Sequence, residues 1–121
     1  MLSRIRRWIE DRLAQREFER VVHVPELHDV PDDLDPTSIY IAGTVKLPKW
    51  AVFMCPCERP HRVTLSLQPS DPERWRVMDQ RPGPTIFPSV DVSDWRRCHF
   101  WVKKGRVRWV ASWPDLGGTS P

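Results

Sequence analysis

The chain has 121 residues, the size of one domain, and 40% of them are hydrophobic, which excludes a chain that is disordered by composition. Its net charge of +3 is too small for a dedicated nucleic-acid binder, and its apolar stretches are too short to cross a membrane. The N-terminal residues are charged throughout and lack the apolar run of a secretory signal. We therefore expect a cytoplasmic protein, in which three cysteines favour metal ligation or thiol chemistry over disulfides.

The N-terminal segment, residues 1–20, has the periodicity of an amphipathic helix. Its apolar residues recur at spacings of three and four: Leu2, Ile5, Ile9 and Leu13. Residues 21–37 then carry three prolines and an excess of acids, which predicts a connector. Residues 21–24 are a candidate short strand within this connector.

Residues 38–113 have the pattern of a β domain, because short runs of β-branched and aromatic residues alternate there with glycine and proline. These runs are residues 39–41, 45–47, 50–54, 63–67, 75–78, 99–102 and 106–110. The proline-rich residues 80–88 predict a loop, Gly105 predicts a hairpin turn, and residues 114–121 predict a disordered tail. The expected fold class is mainly β (α+β): a small antiparallel sheet or sandwich of short strands with one N-terminal amphipathic helix.

Chemistry-bearing residues concentrate in two places, Cys55-Pro56-Cys57 with His61, and Cys98-His99. Two thiolates from one turn, joined by ligands from a distant segment, are typical of zinc sites. The pattern predicts a Cys₃His zinc site in which either His61 or His99 is the fourth ligand. Buried inert thiols, or one reactive thiol, are the alternatives.

A second interpretation assigns nucleophilic chemistry to part of the same region. Ser89 follows a proline, and His99 comes ten residues later. A hydroxyl, a histidine and a carboxylate such as Asp91 or Asp94 are the components of an acyl-transfer site. Cys98 is a second candidate nucleophile, although in a strand it would face away from His99.

The order of several short motifs resembles a bacterial domain family of unknown function. The motifs are Ile39-Tyr40-Ile41, Cys55-Pro56-Cys57, Thr85 to Ser89, His99-Phe100-Trp101-Val102 and Gly105 to Trp109. The family pattern is roughly Cys-Pro-Cys-Gly-Cys, then Pro-Ser-Ile, then Cys-x-Ser-His-Phe-Trp-Ile and Gly-x-Ile-x-Trp, and the resemblance covers about residues 38–110. Members of this family occur in bacterial operons that resemble eukaryotic ubiquitin conjugation, with a ubiquitin-like protein, E1-like and E2-like enzymes and a protease.

The resemblance implies a component of a bacterial ubiquitin-like modification pathway, with the ubiquitin-like protein or its E1-like and E2-like enzymes as partners. It favours a small hydrolase or peptidase that processes or removes the modifier, with His99 as base and Ser89 or Cys98 as nucleophile. Three positions depart from the family pattern. Arg59 and Arg96 stand where the family has cysteines, and Cys98 stands where it has serine.

Two other functions are open at this point. A zinc-stabilised module without catalysis would bind a partner protein through the N-terminal helix or through the basic hairpin at 103–108, which carries Lys104, Arg106 and Arg108. A nucleic-acid-binding domain would use the same cations together with exposed tryptophans. The acidic residues within 26–35 would repel phosphates and argue against nucleic acid as a partner.

Overall fold

The computed structural model describes residues 17–110, which form eight strands in two four-stranded sheets. The first sheet has the order β1 (Arg20–Val24), β2 (Ser38–Gly43), β3 (Pro48–Met54) and β4 (Arg62–Ser66). The second has the order β5 (Arg76–Met78), β6 (Thr85–Ser93), β7 (Arg97–Lys103) and β8 (Arg106–Trp109). A 3₁₀ turn, Leu27–Asp29, is the one helical element in this range. Within the same range, no helix is long and apolar enough to span a bilayer.

The mainly β prediction is confirmed, whereas the N-terminal helix is not shown. Residues 1–16 of that prediction, and the tail 114–121, lie outside the described range, and residues 17–19 carry no helix before β1 begins. One pairing also departs from the antiparallel expectation, because β1 runs parallel to β2. The remaining strand pairs are antiparallel.

The two sheets share one hydrophobic core, because each contributes the inward-facing residues of its strands to the same cluster. Aromatic rings connect the sheets across this core. The Phe53 ring of β3 meets the Phe100 ring of β7 edge to face, with 6.4 Å between centroids. Phe18 packs on Phe53 in the same way at 5.3 Å. The architecture is therefore a small sandwich.

The other face of the first sheet is covered by the connector. A second apolar cluster forms there from Val30, Leu34, Tyr40, Ala42 and Val52. The Asp35 backbone N–H also donates to the Tyr40 hydroxyl oxygen at 3.0 Å, which ties the connector to the sheet. Both faces of the first sheet are therefore packed against other parts of the chain.

The course of β6 corrects the loop predicted for residues 80–88. The strand begins at Thr85 and includes Pro88. The proline is accommodated because the ladder of β6 with β7 is interrupted at this point. Ile86 pairs with Val102 and the next pair is Val90 with Phe100, so three residues of β6 face one residue of β7. Proline lacks an N–H, and a bulge of this kind is where a strand tolerates it.

The structure differs from the prediction at residues 45–47 and agrees with it at Gly105. Residues 45–47, predicted as a strand, instead form the exposed connection between β2 and β3. The hairpin predicted at Gly105 is confirmed, and both Lys104 and Gly105 have the positive φ that a type I′ turn requires. The tip of this hairpin lies close to Gly83: a Cβ added to Gly83 would come within 2.7 Å of the Gly105 Cα. The β7–β8 hairpin is thus fixed against the start of β6.

We expect Phe100→Ala to lower the free energy of unfolding by about 3–5 kcal/mol, because it removes a fully buried ring that contacts Phe53 and Trp109. Urea unfolding followed by tryptophan fluorescence measures the change. Val45→Ala is the control, since Val45 is 87% exposed and its loss should cost less than about 0.5 kcal/mol. Equal stability of the two variants would contradict a core shared by both sheets.

Candidate functional site

Ser89 and His99 meet on the outer face of the second sheet. The Ser89 Oγ lies 3.0 Å from the His99 Nε2, and both side chains are half-buried. His99 points outward because its neighbours Cys98 and Phe100 point into the core. Ser89 comes within reach because it is the last residue of the bulge in β6. The two side chains make the nucleophile–base contact that acyl transfer requires.

Trp75 holds the backbone of the bulge in place. Its indole Nε1 donates a hydrogen bond to the Ser89 carbonyl oxygen at 3.1 Å. Next to it, the Arg76 guanidinium lies 5.7 Å from the centroid of the Phe87 ring. Neither contact was predictable from the sequence, since neither Trp75 nor Arg76 belongs to a recognisable motif.

His99 contacts Ser89 through its Nε2. Its other ring nitrogen, Nδ1, is buried and makes no hydrogen bond to any of residues 17–110, so no third group orients the ring there. Asp91 stands opposite His99 in the ladder, but its carboxylate accepts two hydrogen bonds from Arg97, at 2.9 and 2.7 Å. These bonds hold the pKa of Asp91 below its ordinary value against the opposing effect of burial, with help from the charges of Arg97 and His99. The arrangement is a Ser–His dyad with a carboxylate nearby.

A second group of side chains gathers on the inner side of the same strand. The donor atoms of Cys55, Cys57, His61 and Cys98 all lie within 4.8 Å of one another, and the Cys98 Sγ is 3.7 Å from the His61 Nε2. Around a tetrahedral zinc ion, sulfur and nitrogen ligands are about 3.5 Å apart and two sulfurs about 3.8 Å apart. The cluster could therefore hold a metal ion. His99, the other candidate for the fourth ligand, lies with Ser89 instead.

Local hydrogen bonds shape the loop that carries three of these four donors. The Cys55 N–H donates to the His61 carbonyl at 2.8 Å, and the Cys57 thiol donates to the Arg59 carbonyl at 3.2 Å. The His61 Nδ1 lies 3.5 Å from an Asp94 carboxylate oxygen. A carboxylate on the second nitrogen is the usual way to orient a metal-binding histidine. Asp94, considered above as a carboxylate for catalysis, thus belongs to this cluster.

The thiols of the cluster differ in acidity. Burial raises the pKa of Cys55. Burial also acts to raise the pKa of Cys57, but hydrogen bonds from the Trp95 side chain and the Arg59 backbone outweigh it and lower that pKa. A lowered pKa favours the thiolate, which is the form that ligates metals. Three cysteines and a histidine are a donor set that suits zinc.

Arg59 and Arg96, which the sequence comparison placed at two cysteine positions of the resembled pattern, lie beside the cluster. The Arg59 guanidinium lies 4.9 Å from the centroid of the Trp95 ring. Arg96 lies 5.5 Å from the same ring and 5.1 Å from that of Trp109. The two arginines therefore stack on indoles. Four donors are nevertheless present, because His61 joins the three cysteines.

The three predicted binding residues line a groove of about 970 Å³ on the second sheet: Lys104, Arg106 and Arg108. Phe87 and Trp101 are the aromatic residues of its lining, with 6.4 Å between their ring centroids. Phe87 precedes Ser89 by two residues, and Trp101 follows His99 by two. Since alternate residues of a strand share a face, Trp101 lies on the face of His99 and the groove adjoins the dyad.

The fold and these contacts define a small β-sandwich protein with a Ser–His pair and a separate Cys₃His cluster. The family model for the bacterial ubiquitination-like system serine protease (BubE) matches residues 26–110, and the chain belongs to this family. The match confirms the resemblance seen in the sequence and assigns the protein to a bacterial ubiquitination-like system. No curated protein and no solved structure is significantly similar to the chain.

The Asp91–Arg97 pair should make stability depend on pH. Because folding lowers the pKa of Asp91 from its ordinary value of 3.8, its contribution is present above that value and is lost as the pH falls through the folded-state pKa. We expect Asp91→Asn to be less stable than the wild type at neutral pH, by under about 1 kcal/mol because the pair is partly exposed.

At strongly acidic pH the two proteins should become equally stable, as measured by urea unfolding at both pH values. Asp32→Asn, at an exposed position in the connector, is the matched control and should show no comparable pH dependence. A stability difference for Asp91→Asn that is the same at both pH values would contradict the assignment.

Proposed function

We propose that this protein is a serine hydrolase that cleaves a bond made through the C-terminal tail of the ubiquitin-like protein of its system. Ser89 is the nucleophile and His99 is the general base. The observation that carries the proposal is the 3.0 Å contact between the Ser89 Oγ and the His99 Nε2. The description of the family as a serine protease supports the same reaction class.

In the proposed reaction, His99 Nε2 accepts the hydroxyl proton of Ser89 while Oγ attacks the carbonyl carbon at the end of the modifier tail. The tetrahedral intermediate collapses, and His99 gives the same proton to the leaving group. Water then attacks the acyl-enzyme with His99 again as base, which restores Ser89.

Cys98 is not the nucleophile in this proposal. It is fully buried, and its sulfur contacts His61 on the inner side of β7. His99 occupies the next position along the strand and therefore faces the other way. A thiol in this place is suited to metal ligation, and it has no base within reach on the outer face.

We expect Ser89→Ala and His99→Ala each to reduce the rate of cleavage by at least about 10³-fold, because each removes one half of the dyad. The substrate is the ubiquitin-like protein of the same system with a short C-terminal extension, and cleavage is followed by mass spectrometry. Circular dichroism checks that the variants keep their fold.

Ser93→Ala is the matched control, because Ser93 is an exposed serine at the end of the same strand. It should cleave at the wild-type rate. A fluorophosphonate probe should also label the wild type on Ser89 and leave Ser89→Ala unlabelled. Undiminished cleavage by Ser89→Ala, or labelling of that variant by the probe, would contradict the assignment of Ser89 as the nucleophile.

We also propose that Cys55, Cys57, His61 and Cys98 bind one zinc ion with a structural role. Four nitrogen and sulfur donors complete a tetrahedron, so no position is left for a reacting water. Because Cys98 lies on β7 and the other three lie in the loop after β3, the ion would connect the two sheets. It would stabilise the strand that carries His99 without entering the reaction.

Elemental analysis of protein purified without chelator should then find about one zinc per chain. Cys57→Ser and His61→Ala should lower both the zinc content and the Tm, and a strong chelator should lower the Tm of the wild type. His28→Ala, an exposed histidine outside the cluster, is the control and should change neither quantity. A wild-type Tm that is unaffected by removal of the metal would contradict the structural role.

The alternative function is a zinc-stabilised binding module without catalysis. The observation that favours it is that the Nδ1 of His99 has no hydrogen-bond partner among residues 17–110, since a general base is usually oriented by a third group. Such a module would bind the ubiquitin-like protein or its E1-like and E2-like enzymes. Binding of these partners by a wild type that neither cleaves the extended modifier nor reacts with the probe would establish this alternative.

A further inference from the structure

The free edge of β8 is a place where another strand could pair. β8 is the last strand of its sheet, and among the described residues it pairs with β7 alone. Arg108 is paired opposite Trp101, and the Val110 N–H donates to β7. Backbone groups in a strand alternate in direction, so the N–H groups of Val107 and Trp109 point away from β7.

One of these outward groups already has an acidic partner. The Val107 N–H donates to a carboxylate oxygen of Glu17 at 2.8 Å, across ninety positions of the chain. Glu17 is held there by its neighbour Phe18, whose ring is fully buried and whose N–H donates to the Gly105 carbonyl at 2.9 Å. A side chain of this protein thus occupies the position that the backbone of a further strand would take.

The groove beside this edge has the chemistry of a site for acidic peptides. Four cations line it: Lys103, Lys104, Arg106 and Arg108. Among the residues that the structure describes, Glu17 is the one acidic residue in the lining. Phe87 and Trp101 add a partly exposed apolar surface, 47% and 38% exposed respectively. Trp101, Lys103, Arg106 and Arg108 lie on one face, because paired residues of a ladder share a face. An extended peptide beside β8 would turn every second side chain toward this face, so acidic residues at alternate positions would match its cations.

We infer that the groove binds an extended, acidic peptide segment of the substrate, which pairs with the β8 edge at Val107 and displaces the Glu17 carboxylate. The inference rests on the proposed function, because the groove adjoins the Ser89–His99 dyad and would hold residues that flank the bond to be cleaved. An acidic peptide fits better than a nucleic acid, since the free edge offers backbone hydrogen bonds that an extended peptide can complete.

Peptide binding should be measured separately from cleavage, in the Ser89→Ala variant of the full chain. The probe is a short fluorescein-labelled peptide of alternating glutamate and leucine, followed by fluorescence anisotropy. We expect it to bind at least about tenfold more tightly than the same peptide with glutamine in place of glutamate. The difference should shrink with added salt, because the groove cations are partly exposed.

Three variants test the site itself. Arg108→Glu should weaken binding of the acidic peptide by about tenfold or more, whereas Lys46→Glu, the same charge change in the β2–β3 connection, should change it by less than about twofold. Glu17→Ala should tighten binding several-fold, because the peptide no longer competes with the internal carboxylate.

Equal binding of the acidic and glutamine peptides, or no effect of Arg108→Glu, would overturn the inference and leave Ser89-dependent cleavage as a separate result. A single-stranded oligonucleotide that binds more tightly than the acidic peptide, with the same dependence on Arg108, would overturn it in favour of nucleic acid. Absence of Ser89-dependent cleavage together with tight, Arg108-dependent peptide binding would support the groove and refute the proposed reaction.

Discussion

The alternation of side chains along β7 is the constraint on which the rest of this structure depends. Cys98, Phe100 and Val102 point inward, whereas His99 and Trp101 point outward. One strand therefore supplies a donor of the Cys/His cluster, a central part of the core, the proposed base and a wall of the groove. A slip of one residue would exchange all of these roles. The register is held from the inside, by the packing of Phe100 on Phe53 and by the contact of Cys98 with His61.

The bulge in β6 is the complement of this regular strand. A regular antiparallel ladder would set one residue of β6 opposite Trp101, and the bulge sets three there. The additional backbone carries Ser89 to the edge of the imidazole, at the expense of ladder hydrogen bonds. Trp75 compensates in part, because its indole donates to the Ser89 carbonyl. Bulges are common beside active sites for this reason, since they redirect a single side chain without altering the remainder of the sheet.

Local patterns predicted the parts of the fold and site that local physics determines. The opposite orientations of Cys98 and His99 follow from strand periodicity, and the hairpin at Gly105 follows from the need for positive φ. The passage of β6 through Pro88 was not predictable, because a bulge depends on the partner strand. The choice of His61 over His99 as the fourth donor likewise depends on how the loop after β3 folds back on β7. Glu17 could not have been assigned either, since its partner Val107 is distant in the chain.

The two chemical groups of this protein are adjacent in sequence and separate in space. Cys98 and His99 share a peptide bond, yet the first faces the core and the second faces the groove. A metal ion on Cys98 would restrain the backbone of His99 without contributing charge to the outer face. Arg59 and Arg96 fit the same division, because they stack on Trp95 beside the cluster and leave the dyad untouched. The contacts that hold the Cys/His cluster are therefore separate from the contact between Ser89 and His99.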